Sequence, residues 1–320
     1  MTLIDDVLDG LRLDSSVFCR MILSGDWGFA KDALSGAPFH LILSGEAWLR
    51  IDGQATRLKA GDMVILPSGI AHDLLAHPDA TTIPFVRVSE QMAIPPWKPG
   101  KRYNTVELPF GSGEPTTVMI SGIFAFADRR RNPLLGALPS VLLTRADSNV
   151  PAASAISAVT ALLDAEVLSD KPGAAIVAGR LADILFIQAV RHFLTSAETL
   201  PRGWLRGVAD AEIAPALACM HNDPGKSWSV ATLARVAGMS RSRFASQFQA
   251  IIGQSPLGYL TQWRMYQAAA RLAAGRIALP ALASSVGYRS EVSFSKAFKR
   301  CMGRSPADYR RSLADVQRCR

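Results

Sequence analysis

A chain of 320 residues with 49% apolar and 19% charged residues is long enough for two globular cores and too apolar for a disordered chain. Its net charge of +8 is unevenly placed: residues 209–320 carry 16 Lys/Arg against 6 Asp/Glu, while residues 1–208 carry 19 against 21. The positive field therefore sits in one segment, as expected of a surface that meets phosphates, rather than of a chain that crosses or enters a membrane.

From Phe18 to Val88 the sequence reads as short strands and turns. Ala47–Ile51 alternates loosely and ends at Asp52-Gly53, a strong hairpin pair. Met63–Leu66 is a buried-strand run between Gly61-Asp62 and Pro67-Ser68-Gly69. Strands at this spacing predict a small β-barrel or double sheet within residues 1–150. Ile94–Gly113, rich in Pro and Gly, reads as loop, and Thr117–Phe126 returns one more strand. The acidic start (Asp5, Asp6, Asp9) lacks the basic opening of a signal peptide, which predicts a cytoplasmic protein.

The character then changes. Ala152–Leu168 and Ala174–Thr195 carry apolar residues at helical spacing on either side of a Ser-Asp-Lys-Pro-Gly breaker, a helical hairpin within residues 151–200. Arg180 and Asp183 interrupt the second helix, so it is no membrane span. Its apolar surface fits either packing on the barrel or a homodimer interface. A boundary falls within Thr195–Gly207, ahead of the basic segment 209–320.

That segment repeats itself. Leu233-Ala234, Gly238, Phe244, Phe248, Gly253, Ser255-Pro256 and Tyr259 recur as Leu282-Ala283, Gly287, Phe294, Phe298, Gly303, Ser305-Pro306 and Tyr309, offset by 49 residues up to the glycine and 50 after it. Each copy reads as helix, Gly turn, Ser-capped second helix, Gly stop and Ser-Pro restart, the outline of a helix-turn-helix. With the phenylalanines and Ile251/Ile252 or Cys301/Met302 turned inward, the outer faces carry Arg241, Ser242, Arg243, Ala245, Ser246 and Gln249, and then Ser290, Glu291, Ser293, Lys296 and Lys299/Arg300. Ser240 and Ser290 are the expected caps. Arg and Lys donate to guanine, Ser donates or accepts, and Glu accepts from cytosine, so these are the candidate DNA contacts. Between the copies, Pro256–Ala274 reads as one helix of 19 residues, a strut of roughly 28 Å at ~1.5 Å per residue. That is near the ~34 Å between successive major-groove openings on one duplex face. Leu257, Leu260, Trp263 and Tyr266/Gln267 are the positions expected to tie the strut to both lobes.

Gly238-Met239-Ser240-Arg241-Ser242-Arg243-Phe244, Val286-Gly287-Tyr288 and the run from Ser293 through Gly303-Arg304-Ser305-Pro306 to Arg310 resemble the DNA-binding domain of AraC-family transcription regulators over about 209–312. The resemblance implies contacts to double-stranded promoter DNA from Ser242, Ala245, Ser246, Ser293 and Lys296, and RNA polymerase as a further partner. Ala245 and Ser246 are shorter than the residues many members carry there, which shifts weight toward backbone contacts and DNA shape.

The spacing Gly61-x5-Pro67-x-Gly69-x2-His72 is similar to the second consensus of the cupin barrel. With Trp27-Gly28, Phe39-His40, Trp48-Leu49 and Asn132-Pro133-Leu134-Leu135, it gives the N-terminal half the look of the cupin-type sensor of that family. Trp27, His40, Trp48 and His72 are then the candidates for binding an unknown small-molecule effector. A metal-binding cupin needs two His at i, i+2 and a Glu; here only His40 is present, and Glu46 follows Gly45. Ser121-Gly122 and Asn132-Pro133 stand where relatives often carry Cys-Gly and His-Pro. No cofactor is expected. Cys19, Cys219, Cys301 and Cys319 lack paired spacing and read as reduced thiols, with Cys19 the one candidate for oxidation. Arg129-Arg130-Arg131 reads as a solvated loop, with contact to an anion as the alternative.

The expected fold class is α+β multidomain: an N-terminal cupin-like β-barrel with a helical hairpin, then a C-terminal all-α tandem helix-turn-helix domain. Three functions compete: a non-enzymatic, dimeric DNA-binding regulator, a metal-dependent cupin enzyme carrying a DNA-binding module, and a single-strand or RNA binder. The last needs exposed aromatic platforms, and the repeat turns its aromatics inward.

Overall fold

The computed structural model describes residues 8, 13–92, 94–98, 103–126, 133–146, 151–196, 202–275 and 277–311. They divide into two compact units, one holding 13–126 and 138–196, the other 133–137 and 202–311. Arg129–Arg131, Asn132 and Cys319, raised from the sequence, lie outside the described residues.

The first unit is a curled β structure of ten strands: β1 (Leu13–Ser24), β2 (Gly28–Lys31), β3 (Ala37–Ile51), β4 (Gln54–Lys59), β5 (Met63–Ile65), β6 (His72–Leu75), β7 (Ile83–Pro84), β8 (Val106–Phe110), β9 (Pro115–Phe126) and β10 (Leu142–Thr144). The backbone path runs β7-β2-β6-β3-β9-β1-β8, with β4, β5 and β10 branching from it. One long strand makes the curl. The first part of β3 pairs with β9 and β5, and the rest with β4 and β6. Between them a register shift at Ile42/Ser44 and a left-handed Gly45 (φ 73°) bend the chain. A Cβ at Gly45 would sit 1.8 Å from the Thr116 carbonyl oxygen, so no larger residue fits that corner. The Asp52-Gly53 hairpin forms as its residue types require, with φ 49° and 79°.

Three details correct the sequence reading. The stretch 94–113 is not all loop, because β8 runs parallel to β1 within it. Its alternation is short and interrupted by Pro109, which hides an edge strand among loop residues. The strands between 18 and 88 are not uniformly short, since β1 and β3 span 12 and 15 residues. And Phe85–Gln91 is helix (α1) rather than strand.

Helix α2 (Pro133–Ala137) belongs to the second unit. Helices α3 (Pro151–Val167) and α4 (Ala174–Ser196) form the hairpin. The inner face of α4 is buried through Ala178, Ala182, Leu185, Phe186, Ala189 and Val190, with Phe186 edge-on to Phe124. A Cβ at Gly179 would lie 2.8 Å from the Ser15 carbonyl, which sets how closely α4 approaches β1. Arg20 bonds Asp164 at 2.9 Å, and Ser15 donates to Asp183. Leu162, Leu168, Ile176, Val177 and Ile184 stay exposed on the hairpin.

The second unit holds α5 (Trp204–Ala209), α6 (Ala214–Asn222), α7 (Val230–Val236), α8 (Arg241–Ile252), α9 (Pro256–Ala274), α10 (Leu279–Ser285) and α11 (Glu291–Met302). Residues 306–311 are helical as well. The pairs α7–α8 and α10–α11 are the two copies of the repeat.

Candidate DNA-reading helices and barrel cavity

The two copies share their turn and second helix, though Ser229 caps α7 through a capping box and Ala278 leaves α10 without a side-chain cap. Ser240 accepts from the Arg243 N–H at 3.3 Å, and Ser290 from the Ser293 N–H at 3.4 Å, capping α8 and α11. Both helices stop at a left-handed glycine, Gly253 (φ 88°) and Gly303 (φ 75°), whose N–H returns to Gln249 or Lys299. In the turns, Met239 N–H bonds Ala234 O and Tyr288 N–H bonds Ala283 O, each at 2.9 Å.

Phe244, Phe248, Ile251 and Ile252 are buried on α8, and Phe294, Ala297 and Phe298 on α11. That leaves Arg241, Ser242, Arg243, Ser246 and Gln249 exposed on one helix and Ser290, Glu291, Ser293 and Lys296 on the other, with Ala245 half-buried. Besides the cap on Ser290 and a 3.4 Å contact between Ser242 and Ser240, two long side chains are engaged within the unit. Arg243 pairs with Glu212 at 2.7 Å, and the Gln249 side chain donates to Gly253 O at 3.0 Å. Val292, in the first turn of α11, is 65% exposed and was not singled out by its sequence. Cys301 corrects the expected inward face: it is exposed, and Met302 alone packs on the core. One residue is a turn of ~100°, enough to carry Cys301 past the buried stripe.

The strut divides its contacts by half. Tyr259, Leu260 and Trp263 are buried toward the first copy, where Tyr259 meets Phe248 and Trp263 stacks on His221 with centroids 3.8 Å apart. Tyr259 Oη lies 2.6 Å from His221 Nε2, and burial holds that imidazole neutral, its pKa about 3. Met265, Ala268, Ala269 and Leu272 join Leu282, Phe294 and Phe298 in the second core. Leu257 corrects the expectation, being 42% exposed, and Tyr266 and Gln267 are only half-buried. Continuing the helical period from Leu260 and Trp263 leads to 266/267, but Met265 stands ~200° around the helix from Trp263 and opens a separate stripe with Ala268, Ala269 and Leu272, so the two halves of the strut bury different faces.

Arg264, mid-strut, carried no sequence signal. It donates to Pro224 O at 2.6 Å and Lys226 O at 2.7 Å, and its guanidinium lies 6.0 Å from the Tyr288 ring centroid. Gly287 (φ 81°) packs beside it, where a Cβ would meet Arg264 at 2.8 Å and Gly225 O at 2.6 Å. One side chain thus joins the loop before α7 to the turn of the second copy.

In the barrel, a cavity of 370 Å³ is lined by Phe18, Cys19, Lys31, His40, His72, Phe85, Trp97 and Ser121, among others. His40 and His72 meet there as expected. His40 Nε2 lies 2.9 Å from His72 Nε2, His40 Nδ1 is 2.7 Å from Ser121 Oγ, and His72 Nδ1 is 3.0 Å from Ile70 O. A carbonyl only accepts, so His72 Nδ1 carries the proton and its Nε2 is the acceptor. His40 then donates from Nε2, and Ser121 donates to His40 Nδ1. The chain runs one way and needs both rings neutral. Burial first, then the Lys31 charge, keeps them so: His40 titrates well below its ordinary value and His72 at about 4.

Trp27 and Trp48 do not line the cavity and are corrected. Trp27 is 1% exposed and stacks on Phe29 within the core. Trp48 is half-buried and alternates with buried Ala47 and Leu49, so it faces away from the interior. Glu46 also points outward, to Arg57. The donor set therefore does not fit a cupin metal: two imidazoles share a nearby ammonium and lack the carboxylate, and no group of three or more His, Cys, Asp or Glu suited to a metal occurs among the described residues. Lys31 is a cavity residue the sequence did not reveal. It follows Phe29-Ala30 in a short strand with nothing to mark it as inward-facing. Cys19 lines the same cavity as a protonated thiol, pushed by burial to about 11.

No helix among the described residues is long and apolar enough to cross a membrane. Residues 3–195 match the cupin family, and residues 233–312 match a helix-turn-helix domain family. A Streptomyces lividans protein described as an AraC-like transcription regulator is 33% identical over 96% of this chain and 97% of its own length. The HTH-type transcriptional regulator AlkR of Acinetobacter baylyi is 32% identical, covering 97% of this chain and 99% of its own. The RCS-specific HTH-type transcriptional activator RclR of Escherichia coli is 27% identical over 92% of each.

Proposed function

As a member of the AraC-like family of transcription regulators, with a cupin-type N-terminal domain, this chain binds DNA, and we propose that it does so by placing α8 and α11 in successive major grooves of one promoter duplex. The observation that carries the reading is the duplication itself: two helices with the same serine cap, glycine stop and buried phenylalanines, exposed on a segment of excess positive charge.

Lys296, Ser293, Ser290 and Glu291 read from α11; Arg241, Ser242 and Ser246 read from α8, with Ala245 at its edge. Arg243 and Gln249 act differently. Held by Glu212 and Gly253, they fix the helix and its end, and reach a phosphate only by exchanging those partners. The cap N–H groups of both helices suit backbone phosphates.

The protein acts in the cytoplasm as a homodimer joined through the exposed apolar face of α3 and α4, and works on RNA polymerase at the promoter. A small effector enters the barrel cavity beside His40 and His72 and shifts regulation through unequal affinity for two states. It is not an enzyme: the donor set in the cavity lacks the third ligand on which a metal-dependent cupin reaction depends.

A mobility-shift titration on the protein's own promoter region tests this. Binding competed by specific duplex, with log affinity falling steeply with log salt, supports the reading. Equal competition by single strands or RNA contradicts it.

A further inference from the structure

The Lys31 ammonium reaches the barrel cavity, and no carboxylate among the described residues pairs with it. Among the described residues its close partner is the Phe85 ring, 3.9 Å from Nζ to the centroid. Asp32, the one carboxylate among the described lining residues, is exposed and makes no ion pair with it. The other ionisable groups facing the cavity are Cys19, His40 and His72, all held uncharged. Among the described lining residues Lys31 is thus the one cation, with the exposed Asp32 as the one carboxylate.

The polar cluster offers little else to a ligand. Ser121 donates to His40, His40 to His72, and His72 to Ile70 O, so every proton of the chain is committed within it. Beside the neutral Trp97 indole N–H and the weak Cys19 S–H, the charged donor left to a ligand among the described lining residues is the Lys31 ammonium, which requires an acceptor. A cation would meet the ammonium's repulsion, while a neutral hydrocarbon would leave a desolvated charge unpaired. The walls are mostly apolar, with Phe18, Leu34, Phe85, Ile94 and Trp97 among them, which disfavours a multiply charged or sugar-like ligand.

We propose that the cavity takes a compact apolar monocarboxylate, its anionic head on Lys31 and its hydrocarbon body against Phe18, Phe85 and Trp97. The proposal rests on the reading of this cavity as the effector site and names the chemical class of that effector. Binding removes a standing penalty, because it supplies the counter-charge that the folded barrel withholds from Lys31.

The test is calorimetric titration of the full chain at pH 7 with benzoate and octanoate and with their uncharged amides, in the wild type, Lys31→Met and Ile123→Phe. Ile123 lines the cavity on the face of β9 that carries Ser121, and the larger side chain narrows it. The wild type is expected to favour each acid over its amide by about tenfold or more, the scale of a hydrogen bond to a charged group. Lys31→Met should erase that preference while melting no lower than the wild type, and Ile123→Phe should weaken acid and amide alike. An acid preference that survives Lys31→Met, acids and amides binding equally, or no binding of any probe would overturn the carboxylate assignment. Amide binding that Ile123→Phe weakens, without any acid preference, would sink the assignment and spare the cavity reading. Binding indifferent to Ile123→Phe would sink the cavity reading itself.

Discussion

Lys296 and the buried histidines carry the sharpest consequences at the scale of single residues. Lys296 lies exposed in the second turn of α11, and the proposed reading gives this long donor a guanine edge. Lys296→Ala is expected to weaken specific promoter binding by roughly 1–3 kcal/mol and to relax preference at one base pair. Unchanged affinity at matched salt would remove it from the interface. His72 and His221 titrate at about 4 and about 3 in the folded chain and near 6.5 unfolded. Between those values only the unfolded chain takes up the proton, so their stability contribution is full above pH 6.5 and declines as pH falls through the folded values. Thermal melting followed from pH 7 to pH 4 should show that decline, and His72→Gln should flatten part of it. Lys31 behaves the same way at higher pH. Its pKa of about 8 against the ordinary 10.5 means the half-buried charge costs stability below pH 8, a cost relieved as pH rises toward 10.5. Lys31→Met should therefore melt higher at pH 7, by roughly 2–5 °C for a unit this size; a lower melting point would contradict its standing as an unpaired charge.

Among the elements, the reading helices and the strut were the most legible in the sequence, because their signals are local. A serine cap, a left-handed glycine and phenylalanines four apart each act within one turn, so Ser240, Gly253, Ser290 and Gly303 announce their helices unaided. Ser290→Ala should cost about 1 kcal/mol of stability, measurable by urea unfolding. A loss indistinguishable from zero would mean the cap is dispensable. What depends on distant chain was not legible. Strand β8 acquires its identity from β1, far off in sequence, and Trp27 looked like a ligand contact only because its burial under Phe29 is decided by other strands. Arg264 is the clearest case. Its value lies in joining Pro224 and Lys226 to Tyr288, a relation that no local pattern encodes. Arg264→Met should leave the binding of a half-site little changed while weakening a full site, because the lobes would lose their fixed separation.

Over the whole molecule, the division of labour follows the division of charge. The N-terminal unit is near neutral and encloses a cavity, and the C-terminal unit carries the excess positive charge and the paired helices. Leu162 and Ile184 are 59% and 42% exposed on the hairpin, and Leu162→Glu with Ile184→Glu should convert a dimer to monomer in sedimentation runs. An unchanged mass would place the interface elsewhere. The central claim is that one chain spans two grooves, and methylation interference on a single operator tests it most directly, since it reports contacts at guanine N7 in the major groove. Two patches of interference centred one helical turn apart, on one face of the duplex, are predicted, with Lys296→Ala thinning one patch only. A single patch, or two on opposite faces, would contradict the account.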